Sequence, residues 1–467
     1  LKNGKTRAAV HSSAKRGYRP YSYGLLKIKG GNSVFLFIVN YDGGVFMEST
    51  ILWGCIADDF TGASDAASFF EKGGLKTVLY NGIPKENTVI DSDVKAVVIA
   101  LKIRSIEADK AVNTALEALK YLNSVNARQI YFKYCSTFDS TPKGNIGPIA
   151  DAIMDALGET KTILCPALPV NKRTVVMGRL FVDDVPLDKS PMKNHPVNPM
   201  WDSEIAELMK PQSKYPCINV DLEEMEEENE EIWNRLNEFE KLTGNYYIVP
   251  DYVKEEDAVR IADIFGSLKF LTGGSGIIKA LAERSGGEEN VCPDDSSTDG
   301  KAVIIAGSCS AATRGQVEEF INKGGKAFKI DAIRLLYEKQ TVSDLWNFVL
   351  ENEDETVLVY SSDTPDNVVY NQRHGAKEIS ESLENAMAEL AEIALNNGYS
   401  RIIVAGGETS GAITKKLGFN SYIIGKSVDP GVPIMTPTEK RNVRLVLKSG
   451  NFGAVDFFEK AVKMTEK

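Results

Sequence analysis

GCIADDFTGASDAA, residues 54–67, closes a short apolar run with two adjacent carboxylates, a Thr-Gly step and a small-residue helical pattern. An apolar run that ends in polar residues and passes at once into a helix is the strand-to-helix turn of a parallel α/β sheet. Aspartate is a common helix N-cap, so the helix beginning near Gly62 accounts for one of Asp58 and Asp59. Ligands of open α/β sheets sit at the carboxyl ends of strands, which leaves the other aspartate available to a substrate or to catalysis.

The same alternation extends on both sides. Strand-like runs ILWGCIA, KTVLY, KAVVIAL, QIYFKYC and KTILCPA are separated by predicted helices over 62–72, 107–123 and from about 146. Residues 168–200, rich in Pro, Asn, Lys and Asp, are too long for a simple connection and read as an irregular functional loop or lid. The acidic stretch LEEMEEENEEIWNRLNEFEKL reads as a solvated helix surface, with Ile232, Leu236 and Phe239 on one face. SGGEENVCPDDSSTDG, 285–300, has the composition of a linker. A second α/β unit follows, with strands AVIIAGS, KAFKI, TVLVYSS, RIIVAGG, SYIIG and VRLVLKSG. The expected architecture is therefore α/β: two domains, 47–284 and 301–467, each a mainly parallel sheet with flanking helices and a ligand cleft between them.

Residues 1–46 carry eight Lys or Arg against the single acid Asp42 and are expected upstream of a native start at Met47, outside the fold. A formal charge of -11 argues against nucleic acid as a partner and requires local basic residues wherever an anion binds. No apolar run approaches the roughly 18 residues that span a bilayer, so no membrane partner is expected. The six cysteines, scattered without metal-ligand spacing, read as buried free thiols in a reducing cytoplasm.

Three glycine-rich turns follow strands of the second unit: GSCSAATRGQ at 307–316, GGETSGAI at 406–413 and KSGNFGAVDFF at 448–458. Free N–H groups at such turns and helix starts hold phosphate. None matches the Walker or dinucleotide fingerprints. The first unit offers Lys102 and Arg104 in ALKIRS, then Ser136, Thr137, Asp139 and Lys143 in YCSTFDSTPKGN, a set suited to a small polyhydroxy acid. His195 lies between prolines in NHPVNPM, within the long loop. A dehydrogenase would need GxGxxG after a strand, and a non-catalytic sugar-acid sensor would not need a second domain lined with anion-binding turns.

Together these motifs, with CPALPVNKRTVVMGRLFVDDVPL, TGGSG and DPGVP, resemble the four-carbon acid sugar kinase family over about 51–460. The resemblance implies a sugar-acid-binding N-terminal domain and an ATP-binding C-terminal domain. Asp58 and Asp59 would hold the acceptor, and one of the two would take the proton from its terminal hydroxyl. Ser308, Ser310, Gly406, Gly407, Glu408, Thr409, Gly450 and Gly453 would cradle ATP, with Mg²⁺ on its phosphates; protein ligands to the metal stay unassigned. NHPVNPM looks most like the 3-oxo-tetronate branch, although Asn198 stands where Thr is usual; D-threonate or D-erythronate kinases are the runner-up. The expected partners are the sugar acid and ATP, with self-association into a homo-oligomer as a further candidate.

Overall fold

The computed structural model describes residues 24–30, 33–39, 45–47, 51–194, 198–287 and 296–467. The chain falls into two units, Leu1–Ser49 and Thr50–Lys467. In the first, Gly24–Gly30, Ser33–Val39 and Val45–Met47 form an antiparallel sheet in chain order.

The second unit is built on one sheet of 15 strands. Its N-terminal half contributes parallel strands in the order Cys217–Val220, Tyr246–Pro250, Lys161–Cys165, Phe270–Gly273, Gln129–Lys133, Trp53–Ala57, Ala96–Ala100 and Thr77–Asn81. At Thr77–Asn81 the direction reverses. Ser421–Asp429 pairs antiparallel with it, Tyr80 opposite Ser421, and Val432–Pro437 and Arg444–Lys448 continue the antiparallel run. Arg401–Ala405, Ala302–Ala306, Val357–Tyr360 and Lys326–Lys329 then extend the sheet parallel to Arg444–Lys448. The two expected domains thus share one sheet. A strand edge left open at Thr77–Asn81 would expose unpaired backbone groups, and the C-terminal meander covers it.

Every residue of Trp53–Ala57, Ala96–Ala100, Ala302–Ala306 and Arg401–Ala405 is buried, as strands covered on both faces must be. The helix Phe60–Lys72 buries Ala63, Ala66, Ala67, Phe69 and Phe70, so its small residues let it lie close to the sheet. Strands of the two halves run in opposite senses across the seam. Strand twist of about 20–25° per step, accumulated over the steps from Ala96–Ala100 to Arg401–Ala405, turns them through roughly a right angle or more, so their carboxyl ends can face one cleft.

The 168–200 passage is not the irregular loop expected. Arg173–Val176, Arg179–Val182 and Val185–Pro186 make a small antiparallel sheet, with Val175, Leu180 and Val182 buried. Its first turn places Met177 at φ 49° and Gly178 at φ 71°, the left-handed pair of a tight hairpin. The Asp251 carboxylate accepts from both N–H groups, at 2.6 and 2.9 Å. Strands of four residues or fewer amid Pro and Asp have too little periodicity to read. The acidic stretch forms Leu222–Met225 and Asn229–Thr243, with Ile232 and Leu236 buried and Phe239 packed against the core. Cys55 and Cys165 are buried as expected, and burial pushes the Cys55 thiol up to about 12. Cys135 is only half-buried, because its strand ends at Lys133.

Candidate active site

The aspartate pair divides its work. Asp59 caps Phe60–Lys72: its Oδ1 accepts from the Gly62 N–H at 2.5 Å. Asp58 is buried and takes a two-pronged hydrogen bond from Arg104, Nε to Oδ2 and Nη2 to Oδ1, both 2.8 Å. The remaining arginine arm, Nη1, reaches Asp59 Oδ2 at 2.7 Å. Burial pushes the Asp58 carboxyl up, and the guanidinium opposes it. Burial likewise works against the charge on Arg104, and the carboxylates more than offset it. Arg104 is therefore committed to the aspartates first and to any substrate anion second. Its segment is pinned by Asn145, whose amide donates to the Ile103 and Ile106 carbonyls at 2.6 and 2.8 Å.

A second buried charge pair lies beside this one. Lys133, the last residue of its strand, is 3.7 Å from Asp65, one side of which accepts from Ser275 Oγ at 2.6 Å. Burial raises the Asp65 carboxyl, with Lys133 opposing. Thr137 and Asp139 are buried near the strand end, around Phe138, a bulky residue held at φ 48°. Cys135 Sγ lies 3.0 Å from Thr137 Oγ1. Ser136 is half-buried and Lys143 exposed. Lys102 is also exposed, and it lines a polar cleft of about 1070 Å³ with Glu384, Glu408 and Gly411 of the C-terminal half. Its neighbours Leu101 and Ile103 donate backbone hydrogen bonds to Ala57 and Asp58, so its segment runs beside the aspartate pair while its side chain lines the cleft shared with the C-terminal half. His195 lies outside the described residues.

The three glycine turns end the neighbouring strands Ala302–Ala306, Arg401–Ala405 and Arg444–Lys448, as their spacing led us to expect. Ser310 caps Ala311–Asn322 and donates to the Gly450 carbonyl at 2.6 Å, which ties the first turn to the third. Thr313 Oγ1 donates to the same carbonyl at 2.8 Å, and Gln316 binds the carbonyls of Phe452, Gly453 and Ala454. Ser308 Oγ accepts from the Ser310 N–H at 3.2 Å. Gly406 adopts φ 137° and Gly453 φ 84°, and a side chain on Gly450 would meet Ser308 Oγ at 2.3 Å. At Gly407, the first residue of the helix Gly407–Leu417, a Cβ would meet nothing within 4 Å, so the helix start opens onto free space. An open helix N-terminus behind a glycine step is a place for phosphate. Glu408 is exposed at this helix start, and Thr409 is buried behind it against Gly406.

Behind the third turn sits Lys448, 1% exposed. Its ammonium donates to Thr313 Oγ1 at 2.9 Å and the Gly450 carbonyl at 3.0 Å, and no carboxylate pairs with it among the described residues. Burial alone lowers this lysine to about 8. Sequence reading passed over Lys133, Lys448 and Asp65. A lysine closing an otherwise apolar strand is a signal in the sequence that could have found the first two.

Residues 53–281 match the family model described as a sugar-binding N-terminal domain, and residues 303–458 match a nucleotide-binding C-terminal domain. A 3-oxo-tetronate kinase of Haemophilus influenzae is 40% identical over 88% of this chain and 99% of its own length. The chain belongs to the four-carbon acid sugar kinase family. Another relative in this family, the 3-oxo-tetronate kinase of Actinobacillus succinogenes, is 41% identical over 89% of this chain and 100% of its own. Crystal structures of an H. influenzae protein and a Salmonella typhimurium protein superpose with TM-scores of 0.75 and 0.81, at 41% and 36% identity. They cover 88% and 89% of this chain, and each is itself covered to 99%. The aspartate pair lies in the family's sugar-binding domain, and the glycine turns lie in its nucleotide-binding domain.

Proposed function

We propose that this chain is an ATP-dependent sugar-acid kinase that phosphorylates the terminal hydroxyl of 3-oxo-tetronate. The observation that carries the reading is the opposition of two sites in one fold. A carboxylate pair clamped by Arg104 stands at strand ends of the sugar-binding half, and three glycine turns end adjacent strands of the nucleotide-binding half.

Asp59 is the proposed base. Its side chain is 33% exposed against 5% for Asp58, whose oxygens both lie in the arginine fork. In the step itself the bond from the γ-phosphorus to the bridging oxygen breaks and a bond to the acceptor oxygen forms. The acceptor's proton passes to Asp59, and ADP leaves with the bridging oxygen. Asp58 holds Arg104, and Arg104 holds Asp59 Oδ2 toward the acceptor. Ser136, Thr137, Asp139 and Lys143 supply hydrogen-bonding groups along the same edge for the sugar acid. The turns at Ser308–Ser310, Gly406–Thr409 and Gly450–Gly453 would receive the phosphates, and Lys102 would face them from the opposite half. Mg²⁺ on the ATP phosphates would neutralise charge. Among the described residues no group of three or more His, Cys, Asp or Glu is placed to hold a metal, so no protein ligand is assigned and no step is routed through it. Among the described residues no helix is long and apolar enough to cross a membrane, and the described cysteines are all free, which fits a cytoplasmic location.

The test is ATP consumption by the purified chain across four-carbon sugar acids. We expect 3-oxo-tetronate to be turned over most efficiently, with D-threonate and D-erythronate behind. No turnover of any of them would overturn the kinase reading, and a lead for threonate or erythronate would overturn the branch. His195→Ala should narrow the lead of the 3-oxo acid, since a keto oxygen accepts hydrogen bonds and never donates. Light scattering on the same preparation tests whether the chain forms a homo-oligomer.

A further inference from the structure

A cavity of roughly 310 Å³ lies where the small sheet of the N-terminal half meets the third glycine turn. Asn171 and Arg173 line it from one side, and Asp429, Phe452 and Gly453 from the other. Arg173 opens the strand Arg173–Val176, and its backbone is held by a bridge to Leu168 and by pairing with Val182. Its guanidinium donates through Nη1 to the Asn171 carbonyl, while Nε is buried without a hydrogen-bond partner. Among the described residues no carboxylate lies within ion-pair distance of it. Asp429, the one acid among the described residues lining this cavity, is already answered by Lys460 at 2.6 Å and by the Ala454 N–H at 2.9 Å.

An arginine held on a paired strand, with spare N–H groups and no counter-charge, is prepared for an anion. The opposite wall of its cavity is the turn Asn451–Ala454, which Gln316 fixes through three backbone carbonyls. The anion that reaches a glycine turn of the nucleotide-binding half and a side chain of the sugar-binding half at once is the phosphoryl group passing between them. We propose that Arg173 contacts that group and stabilises its charge in transit. The proposal rests on the kinase reading and adds a catalytic residue to it. Arg173 becomes the point at which the acceptor half touches the donor's phosphate.

The test compares Arg173→Gln and Arg173→Lys with the wild type. Loss of a preorganised donor to developing charge costs on the order of 100-fold in kcat. We expect Arg173→Gln to lose about that much, with the sugar-acid KM within about threefold of wild type and the KM for ATP raised by about the tenfold expected for a polyphosphate. Arg173→Lys should recover part of the loss, since a point charge replaces the fork. Calorimetric binding of inorganic tripolyphosphate should weaken about tenfold in Arg173→Gln. That readout does not depend on turnover, so it tests Arg173 even if no sugar acid is a substrate and the kinase reading fails. Unchanged tripolyphosphate binding together with unchanged kcat would overturn the proposal. A rise confined to the sugar-acid KM would assign Arg173 to the acceptor's carboxylate and would overturn it as well.

Discussion

Raising the pH from about 7 to about 9 should weaken ATP binding roughly tenfold through Lys448 alone. This lysine is buried, has no paired carboxylate among the described residues, and titrates at about 8. If the nucleotide's phosphates bind the ammonium form only, the apparent ATP constant scales as one plus the ratio of neutral to charged lysine. That factor is about 1.1 at one pH unit below the lysine's value and about 11 at one unit above it, a tenfold rise. Folding responds in the opposite direction. The unfolded chain keeps the lysine protonated up to its ordinary 10.5, so between about 8 and 10.5 the unfolded state binds the extra proton and stability rises with pH. The burial penalty relieved over that window is roughly 3 kcal/mol. Weaker ATP binding at high pH therefore cannot be attributed to unfolding through this group. The assay is the KM for ATP across this range at saturating sugar acid, in the wild type and in Lys448→Arg, with unfolding midpoints measured alongside. The arginine variant stays charged throughout and should show a flat profile. A flat wild-type profile, or the same rise in Lys448→Arg, would refute the reasoning.

Gly407→Leu should raise the KM for ATP at least about tenfold with little change in the sugar-acid KM or the melting temperature, because beyond its chain neighbours and its own helix backbone the new Cβ meets nothing within 4 Å among the described residues and points into the space a ligand would take. An unchanged ATP constant would remove this turn from the site. Asp59→Asn should lower kcat by about 100-fold or more with modest changes in KM. Asp58→Asn should instead destabilise the fold by about 3 kcal/mol, since it removes the buried charge that pairs with the half-buried Arg104, and urea unfolding reads the difference. Equal kinetics for the two variants would reject the division of roles. Gly431→Ala places a Cβ 2.7 Å from Asp65 Oδ1 and 2.9 Å from a Phe452 ring carbon, at φ 77°. It should cost about 1–3 kcal/mol, and an unchanged melting temperature would show that this contact between the halves is slack.

The strands and helices around the strand ends were legible because their signals are local. An unbroken apolar run with a polar stop, as in Trp53–Ala57 before Asp58, carries its own direction and its own ligand-facing end. The same logic located the three glycine turns, and they lie on adjacent strands. Short strands such as Arg173–Val176 were not legible, because four residues carry too little periodicity and the Asp251 carboxylate that fastens their turn comes from elsewhere in the chain.

What the sequence determined by itself was the class of chemistry: two α/β halves, carboxylates at one set of strand ends and glycine turns at the other. The tertiary structure decided which groups are spent and which are free. Arg104 looked like a cation for substrate, yet it is engaged by Asp58 and Asp59 from an earlier strand end of the sheet. Arg173 and Lys448 were not singled out from the sequence, yet the fold leaves both without counter-charge among the described residues beside the third turn. The antiparallel seam at Thr77–Asn81 and Ser421–Asp429 joins segments more than 300 residues apart. No local pattern encodes such a partner, because charge compensation and strand pairing depend on distance in space, and that distance exists only after the chain has folded.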